Sequence, residues 1–195
     1  MPRAGLNPDR VVAAAAELAD EVGLDRLTLA ALAARLGVRQ PSLYNHVVSL
    51  EALQRLISMR AKAELADVLG RAAIGRARDD ALVAMAHAWR AWALAHPGRY
   101  QAAERGSAPG DVEHEELSHQ TIQVLTAVMD GYDLDGDDAI DAIRTFRSAL
   151  HGFVSLEANN GFAFPHSVDR SFDRLVRTLV TALSSWNAGS EPAPR

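Results

Sequence analysis

The chain has 195 residues, a formal charge of −5 and no cysteine; 48% of it is apolar and only 6% aromatic. That length holds one ordinary domain or two small ones, and the missing cysteines exclude a disulfide framework, a Cys-ligated zinc finger and a thiol nucleophile. The apolar content excludes a largely disordered chain, while every apolar run is broken by Arg, Glu or Asp well short of the ~20 residues of a membrane span.

Helical signals then follow one another. Asn7-Pro8 reads as a cap with proline in the first turn, and Val12, Ala15, Ala16, Ala19 and Val22 recur at three- and four-residue spacing until Gly23. Thr28 caps a short second helix with Leu29, Leu32, Ala33 and Leu36 on one stripe, and Gly37 ends it. A third helix is predicted to carry Pro41, Leu43, Tyr44 and Val47. Such short helices cannot each bury a broad face alone, so the three must fold as one unit. Ser49 to about Leu69 reads as a long helix, and Asp79 caps another running through Trp89 and Trp92 to His96-Pro97. Pro97 opens a short helix before a loop at 106–110. Asp111 to Met129 is helical, 131–136 is a turn, Asp137 or Asp138 caps a helix to about Ala158, and Ser167 begins a last helix to Trp186. Residues 188–195, polar with two prolines, are expected to form a disordered tail. No segment alternates as a strand would, so the fold class is all-α.

Charge is unevenly placed. Residues 1–62 net +2 and the remainder −7, with ten acids and no Arg or Lys from Asp111 to Asp141. The total argues against a nucleic-acid partner; its distribution, a mildly basic head on an acidic body, does not.

The informative stretch is 27–47, Leu-Thr-Leu-Ala-Ala-Leu-Ala-Ala-Arg-Leu-Gly-Val-Arg-Gln-Pro-Ser-Leu-Tyr-Asn-His-Val. It reads as helix, glycine turn, helix, with Leu32, Leu36, Val38, Leu43 and Val47 sharing a small core. In a helix-turn-helix the second helix enters the major groove, which leaves Arg39, Gln40, Ser42, Asn45 and His46 exposed with Tyr44 at the edge. Arg suits guanine, Gln and Asn suit adenine, and Pro41 can meet a thymine methyl. Thr28, at a helix N-terminus, offers its hydroxyl and backbone N–H groups to a phosphate. On a short exposed helix such polar residues have little purpose in a core.

The segment resembles the tetracycline-repressor family of bacterial one-component regulators, most specifically over residues 10–60, through Gln-Pro-Ser-Leu-Tyr-Asn-His-Val at 40–47. The resemblance implies that Thr28 and Tyr44 contact phosphate and that Gln40, Pro41, Ser42, Asn45 and His46 face bases or the groove wall. Two positions depart from the family pattern. Leu50 stands where a lysine commonly clamps phosphate, with Arg39 able to compensate, and Asn45 stands where an aromatic is common.

The later chain, with 88–97 (Ala-Trp-Arg-Ala-Trp-Ala-Leu-Ala-His-Pro), Tyr100 and 150–157 (Leu-His-Gly-Phe-Val-Ser-Leu-Glu), is similar to a subfamily carrying a His-Gly signature before its last two helices. That implies a homodimer whose last two helices form a four-helix bundle with their symmetry mates. The stripe Phe172, Leu175, Val176, Leu179, Val180 and Leu183 is wide for a half-buried surface helix, so Leu150, Phe153, Phe172, Leu175, Leu179 and Leu183 are the interface candidates, burial within the same domain being the plainer account. Trp89, Trp92, Tyr100, Met129, Phe146 and His151 are candidates for an effector cavity between helices, against ordinary core packing for each.

Other patterns are weaker. His114 and His119 are five apart, about 140° around a helix, and do not comfortably share a metal; 114–119 reads as a solvated acidic face. With Gly136 as the invariant glycine of a calcium loop, Gly131 and Ala142 would fall on ligand positions, so 130–138 is a capped turn. No catalytic motif, metal site or cofactor is expected. The expected protein is cytoplasmic, with no secretory signal in MPRAGLNPDR. It has a helix-turn-helix DNA-binding domain over 1–50 and a helical effector-binding and dimerisation domain over 51–187, and works as a repressor released from a palindromic operator by a small molecule. The alternative is a helical protein-binding module or an enzyme on the same fold without operator binding.

Overall fold

A computed structural model describes residues 6–186. Among them are eight α-helices and no strand: α1 (Pro8–Val22), α2 (Leu29–Leu36), α3 (Leu50–Ala73), α4 (Arg78–Ala95), α5 (Pro97–Ala103), α6 (Val112–Met129), α7 (Gly136–Ala158) and α8 (Val168–Ser184). Short 3₁₀ segments cover Leu24–Arg26, Gln40–Asn45 and Asp130–Tyr132. The all-α class is as the sequence implies. The expected tail at 188–195 lies outside the described residues. No helix among the described residues is long and apolar enough to cross a membrane.

Several ends are set by single side chains. Asn7 Oδ1 accepts the Arg10 N–H at 2.8 Å, Thr28 Oγ1 the Ala31 N–H at 3.1 Å, Ser49 Oγ the Ala52 N–H at 3.0 Å and Ser167 Oγ the Arg170 N–H at 3.2 Å. Each satisfies a donor that the first helical turn leaves orphaned. Two expected caps are corrected. Asp79 lies inside the first turn of α4 and accepts the Tyr132 hydroxyl at 2.7 Å, and Asp135, not Asp137 or Asp138, occupies the cap position of α7.

The third element is also corrected. Residues 40–45 form a 3₁₀ turn rather than an α-helix. The Ser42 N–H to Arg39 carbonyl bond of 2.9 Å and the His46 N–H to Leu43 carbonyl bond of 2.8 Å close a tighter coil, and Pro41 in its first turn costs no bond.

The chain divides into two compact units. The first holds the residues up to Leu65 together with Trp92–Ser118; the second holds Ala66–Ala91 together with the residues from His119 on. The first unit includes α5, which lies against α1. Their backbones touch at Gly98: a Cβ there would sit 2.1 Å from the Ala19 carbonyl. Polar ties flank that crossing. Asp20 accepts the Arg99 backbone N–H at 2.8 Å and its Nε–H at 2.7 Å, and Arg99 also reaches Glu64 at 2.8 Å.

The second unit is built around Phe172, fully buried on α8. Its ring lies 5.2 Å from that of Phe153 and 5.4 Å from that of His87, both edge-on, while the Arg90 guanidinium sits 4.9 Å above it. Arg90 is held there by Glu157 at 2.5 and 2.7 Å and Asp169 at 2.7 Å. The α8 stripe is thus largely buried within its own chain: Leu150 and Phe172 are fully buried, and Leu179 and Leu183 nearly so. Those four interface candidates have almost no surface to give a second copy. Phe153 and Leu175 remain half-exposed, and α8 turns Arg174, Arg177, Thr178, Thr181 and Ala182 outward.

Candidate functional site

The nucleic-acid candidates sit on a scaffold of α1, α2 and the 3₁₀ turn at 40–45. Val11, Ala15, Leu24, Leu27, Leu32, Leu43, Leu53 and Ile57 form its core, and Val38 and Leu50 pack on the edge. Gly37 takes a left-handed conformation (φ +67°) that lets the chain reverse after α2, and the Val38 N–H returns to the Ala33 carbonyl at 3.0 Å. Leu43 is the anchor. It is wholly buried, whereas Arg39, Gln40, Pro41, Ser42, Tyr44 and Asn45 around it are exposed and His46 is half-buried. A short segment pinned by one apolar side chain presents five polar ones and a proline to solvent. Tyr44 is 52% exposed although it is the segment's one aromatic, so packing does not account for its place.

Thr28 is exposed at the start of α2, its hydroxyl turned onto the Ala31 N–H. The hydroxyl remains able to donate, so cap and phosphate contact are compatible. Leu50, half-buried against the core, cannot serve as a clamp. Arg35 is held by Glu21 at 2.8 Å and Glu17 at 3.2 Å across α1 and α2. Arg39 stands exposed just before the 40–45 turn.

The effector candidates separate. Trp92 and Tyr100 meet edge-on at 6.4 Å in the first unit, both almost buried. Trp89, Met129 and Phe146 are fully buried in the second unit, and His151 is half-buried 3.4 Å from Ser155 Oγ.

A polar cluster that the sequence reading missed lies in the first unit. His114 was read as part of a solvated acidic face, yet it is only 4% exposed, and Ser58 and Lys62 of α3 are buried with it. Ser58 Oγ donates to the Ala102 carbonyl at 2.7 Å, so the 2.8 Å contact with His114 runs from the imidazole Nε2–H to the hydroxyl. The opposite ring nitrogen lies 3.8 Å from Asp111. Lys62 donates to the Arg105 carbonyl at 2.9 Å and to Ser118 Oγ at 2.7 Å. Asp111 receives Arg55 twice, at 2.5 and 2.6 Å, and caps α6 through the His114 N–H at 3.3 Å. The Arg55 bonds hold its carboxyl down at about 2. Burial first, then the nearby Lys62 ammonium, push the His114 imidazole below its ordinary 6.5 and keep it neutral. The row Ser58, His114, Asp111 imitates a hydrolytic triad in order only, since the serine proton points at a carbonyl rather than at the base. One signal was available in the sequence: Ser58 and Lys62 share the i, i+4 face of α3 with apolar Ala61 and Leu65. No group of metal-binding side chains occurs among the described residues.

Comparison with known proteins gives one answer at both ends of the chain. Residues 11–53 match the family described as bacterial regulatory proteins, tetR family, and residues 82–179 match the tetracyclin repressor-like C-terminal domain. An HTH-type transcriptional regulator of Mycobacterium tuberculosis is 44% identical over 181 residues, covering 92% of this chain and 83% of its own. Another from Bacillus subtilis is 35% identical, covering 93% and 95%. The Escherichia coli tetracycline repressor of class D is 30% identical over 73% of this chain and 64% of its own. A solved TetR from Acinetobacter baumannii superposes with a TM-score of 0.70 over 93% of this chain and 98% of that one, at 22% identity, which speaks to the fold. The chain belongs to the tetR family of bacterial regulatory proteins and is a DNA-binding transcriptional regulator of the helix-turn-helix type.

Proposed function

We propose that the chain is a cytoplasmic repressor that binds a palindromic operator as a homodimer and is released by a small-molecule effector. The observation that carries the reading is the 40–45 turn, where Leu43 is buried and Gln40, Ser42, Tyr44 and Asn45 are all exposed. In this reading residues 1–50 read DNA: Thr28 and Tyr44 hold phosphates, and Arg39, Gln40, Pro41, Ser42, Asn45 and His46 face the groove. Two such segments related by a two-fold axis would address half-sites about one helical turn, ~34 Å, apart. Residues 51–187 supply dimerisation and effector binding. The outward face of α8, Arg174 to Ala182, with half-exposed Leu175 and Phe153, supports a second copy there. The tetracycline repressor among its relatives supports control by a small molecule, which releases DNA only if it binds the two states unequally.

The test is a gel shift at controlled salt with the DNA immediately upstream of the protein's own gene. Gln40→Ala and Tyr44→Ala should each weaken specific binding by about 1–3 kcal/mol. Salt should weaken wild-type binding steeply, as released counterions require. Wild-type affinity in the Gln40→Ala/Tyr44→Ala double variant would sink the assignment. Salt-insensitive or absent binding would favour a protein-binding module or an enzyme on the same fold.

A further inference from the structure

The first unit holds a cavity of about 330 Å³ with Ser49, Glu51, Arg55, Arg105, Asp111 and His114 among its walls. The size is at the lower end of small-molecule sites. Its charges fall into two groups. Arg55 is consumed by Asp111 and Glu113, and His114 stays neutral over Ser58. Arg105 and Glu51 are different. Among the described residues the Arg105 guanidinium meets the neutral amide oxygen of Gln54, at 2.9 Å, and no carboxylate, and the exposed Glu51 carboxylate meets no cation. The lining therefore keeps one guanidinium and one carboxylate with no counter-charge among the described residues, beside the Arg55–Asp111 pair and the neutral His114.

A simple anion would gain from Arg105 and lose to Glu51, and a simple cation the reverse. A molecule carrying both charges satisfies both walls, with a carboxylate on the guanidinium fork and an ammonium on the carboxylate. We propose that this cleft binds a small zwitterion of the amino-acid class and, resting on the regulator reading above, that it is the effector site. Its position suits that role. Ser49, Glu51 and Ala52 of the wall begin α3, and the reading segment ends at Asn45. Ser49 both lines the cleft and caps α3 through the Ala52 N–H. A ligand seated there pulls directly on the joint that follows the DNA-reading turn.

The experiment uses the full chain, calorimetry and operator-binding anisotropy. The probes are the twenty standard amino acids, with acetate and ethylammonium as single-charge controls. At least one amino acid should bind, neither control should match it, and Arg105→Gln and Glu51→Gln should each weaken it about tenfold or more, the weight of one charged hydrogen bond. Both substituted side chains lie at the surface outside the reader, so melting temperature and operator affinity without ligand should stay at wild type. That amino acid should also shift operator affinity of the wild type and not of the two variants. Binding by no amino acid, equal binding by acetate, or binding indifferent to both substitutions would overturn the site. Binding that leaves operator affinity unmoved would overturn its effector role. Calorimetry needs no DNA, so a wild type that binds an amino acid but no operator would indict the regulator reading instead.

Discussion

The two compact units solve the same problem with different materials. The second buries an aromatic cluster, Phe172 with Phe153 and His87, and closes it with Arg90. The first brings backbones into contact at Gly98 and surrounds that crossing with polar ties such as Asp20 to Arg99 and Ser58 to His114. A half-buried polar network answers to pH, salt and ligands, because each group in it must keep a partner. The first unit, which holds the 40–45 turn, also holds this polar network.

Three substitutions would break or sharpen the contrast. Phe172→Ala should cost the most, about 3–5 kcal/mol of folding stability, since it removes a fully buried ring and leaves Arg90 over a hole; denaturant unfolding checks it, and a loss under 1 kcal/mol would deny the cluster its role. Gly98→Ala comes next, at about 1–3 kcal/mol or more, because the added methyl meets the backbone of Ala19, which has no rotamer to change. Its melting curve should fall while the variants of the reading turn keep wild-type stability.

The smallest effect is the pH response of the first unit. The folded-state pKa of His114 lies below its ordinary 6.5, so the unfolded chain takes up the proton first. Stability is then full above pH 6.5 and declines as pH falls from there to the folded-state value. His114→Gln should flatten that slope in unfolding curves measured across the window. Asp111 does not confuse the reading, because its pair with Arg55 keeps it ionised down to about 2. An unchanged slope would show that burial of His114 places no demand on protonation.

Much of this was legible in the chain. Gly37, Thr28 and the stripe Leu29, Leu32, Ala33 announce a capped helix and a turn because caps and periodicity are local rules. The exposure of Gln40, Ser42, Tyr44 and Asn45 follows from Leu43 being the one residue there fit for a core. What could not be read depended on distant partners. The Ser58–His114 contact joins residues 56 apart, and an acidic neighbourhood in sequence concealed a buried imidazole. The α8 stripe is expected to face a partner copy; within the chain Phe172 also meets Phe153 and His87, partners that no local rule announces. The third element is expected as an α-helix because apolar spacing over so few residues does not separate the two coils; the bonds from Ser42 to Arg39 and from His46 to Leu43, each spanning three residues, make it the tighter one.

That tighter coil has a geometric consequence for the surface it presents. With three residues to a turn, Ser42 and Asn45 fall on one side of the coil and Pro41 and Tyr44 on another, while Leu43 faces the core. Residues on one side stand about 6 Å apart at the ~2.0 Å rise of such a coil. Base pairs climb by about 3.4 Å, so one such stride falls just short of two of them. If the coil lies along a major groove, changes at Ser42 and Asn45 should register on neighbouring dinucleotides of a site, with Tyr44 on a separate edge.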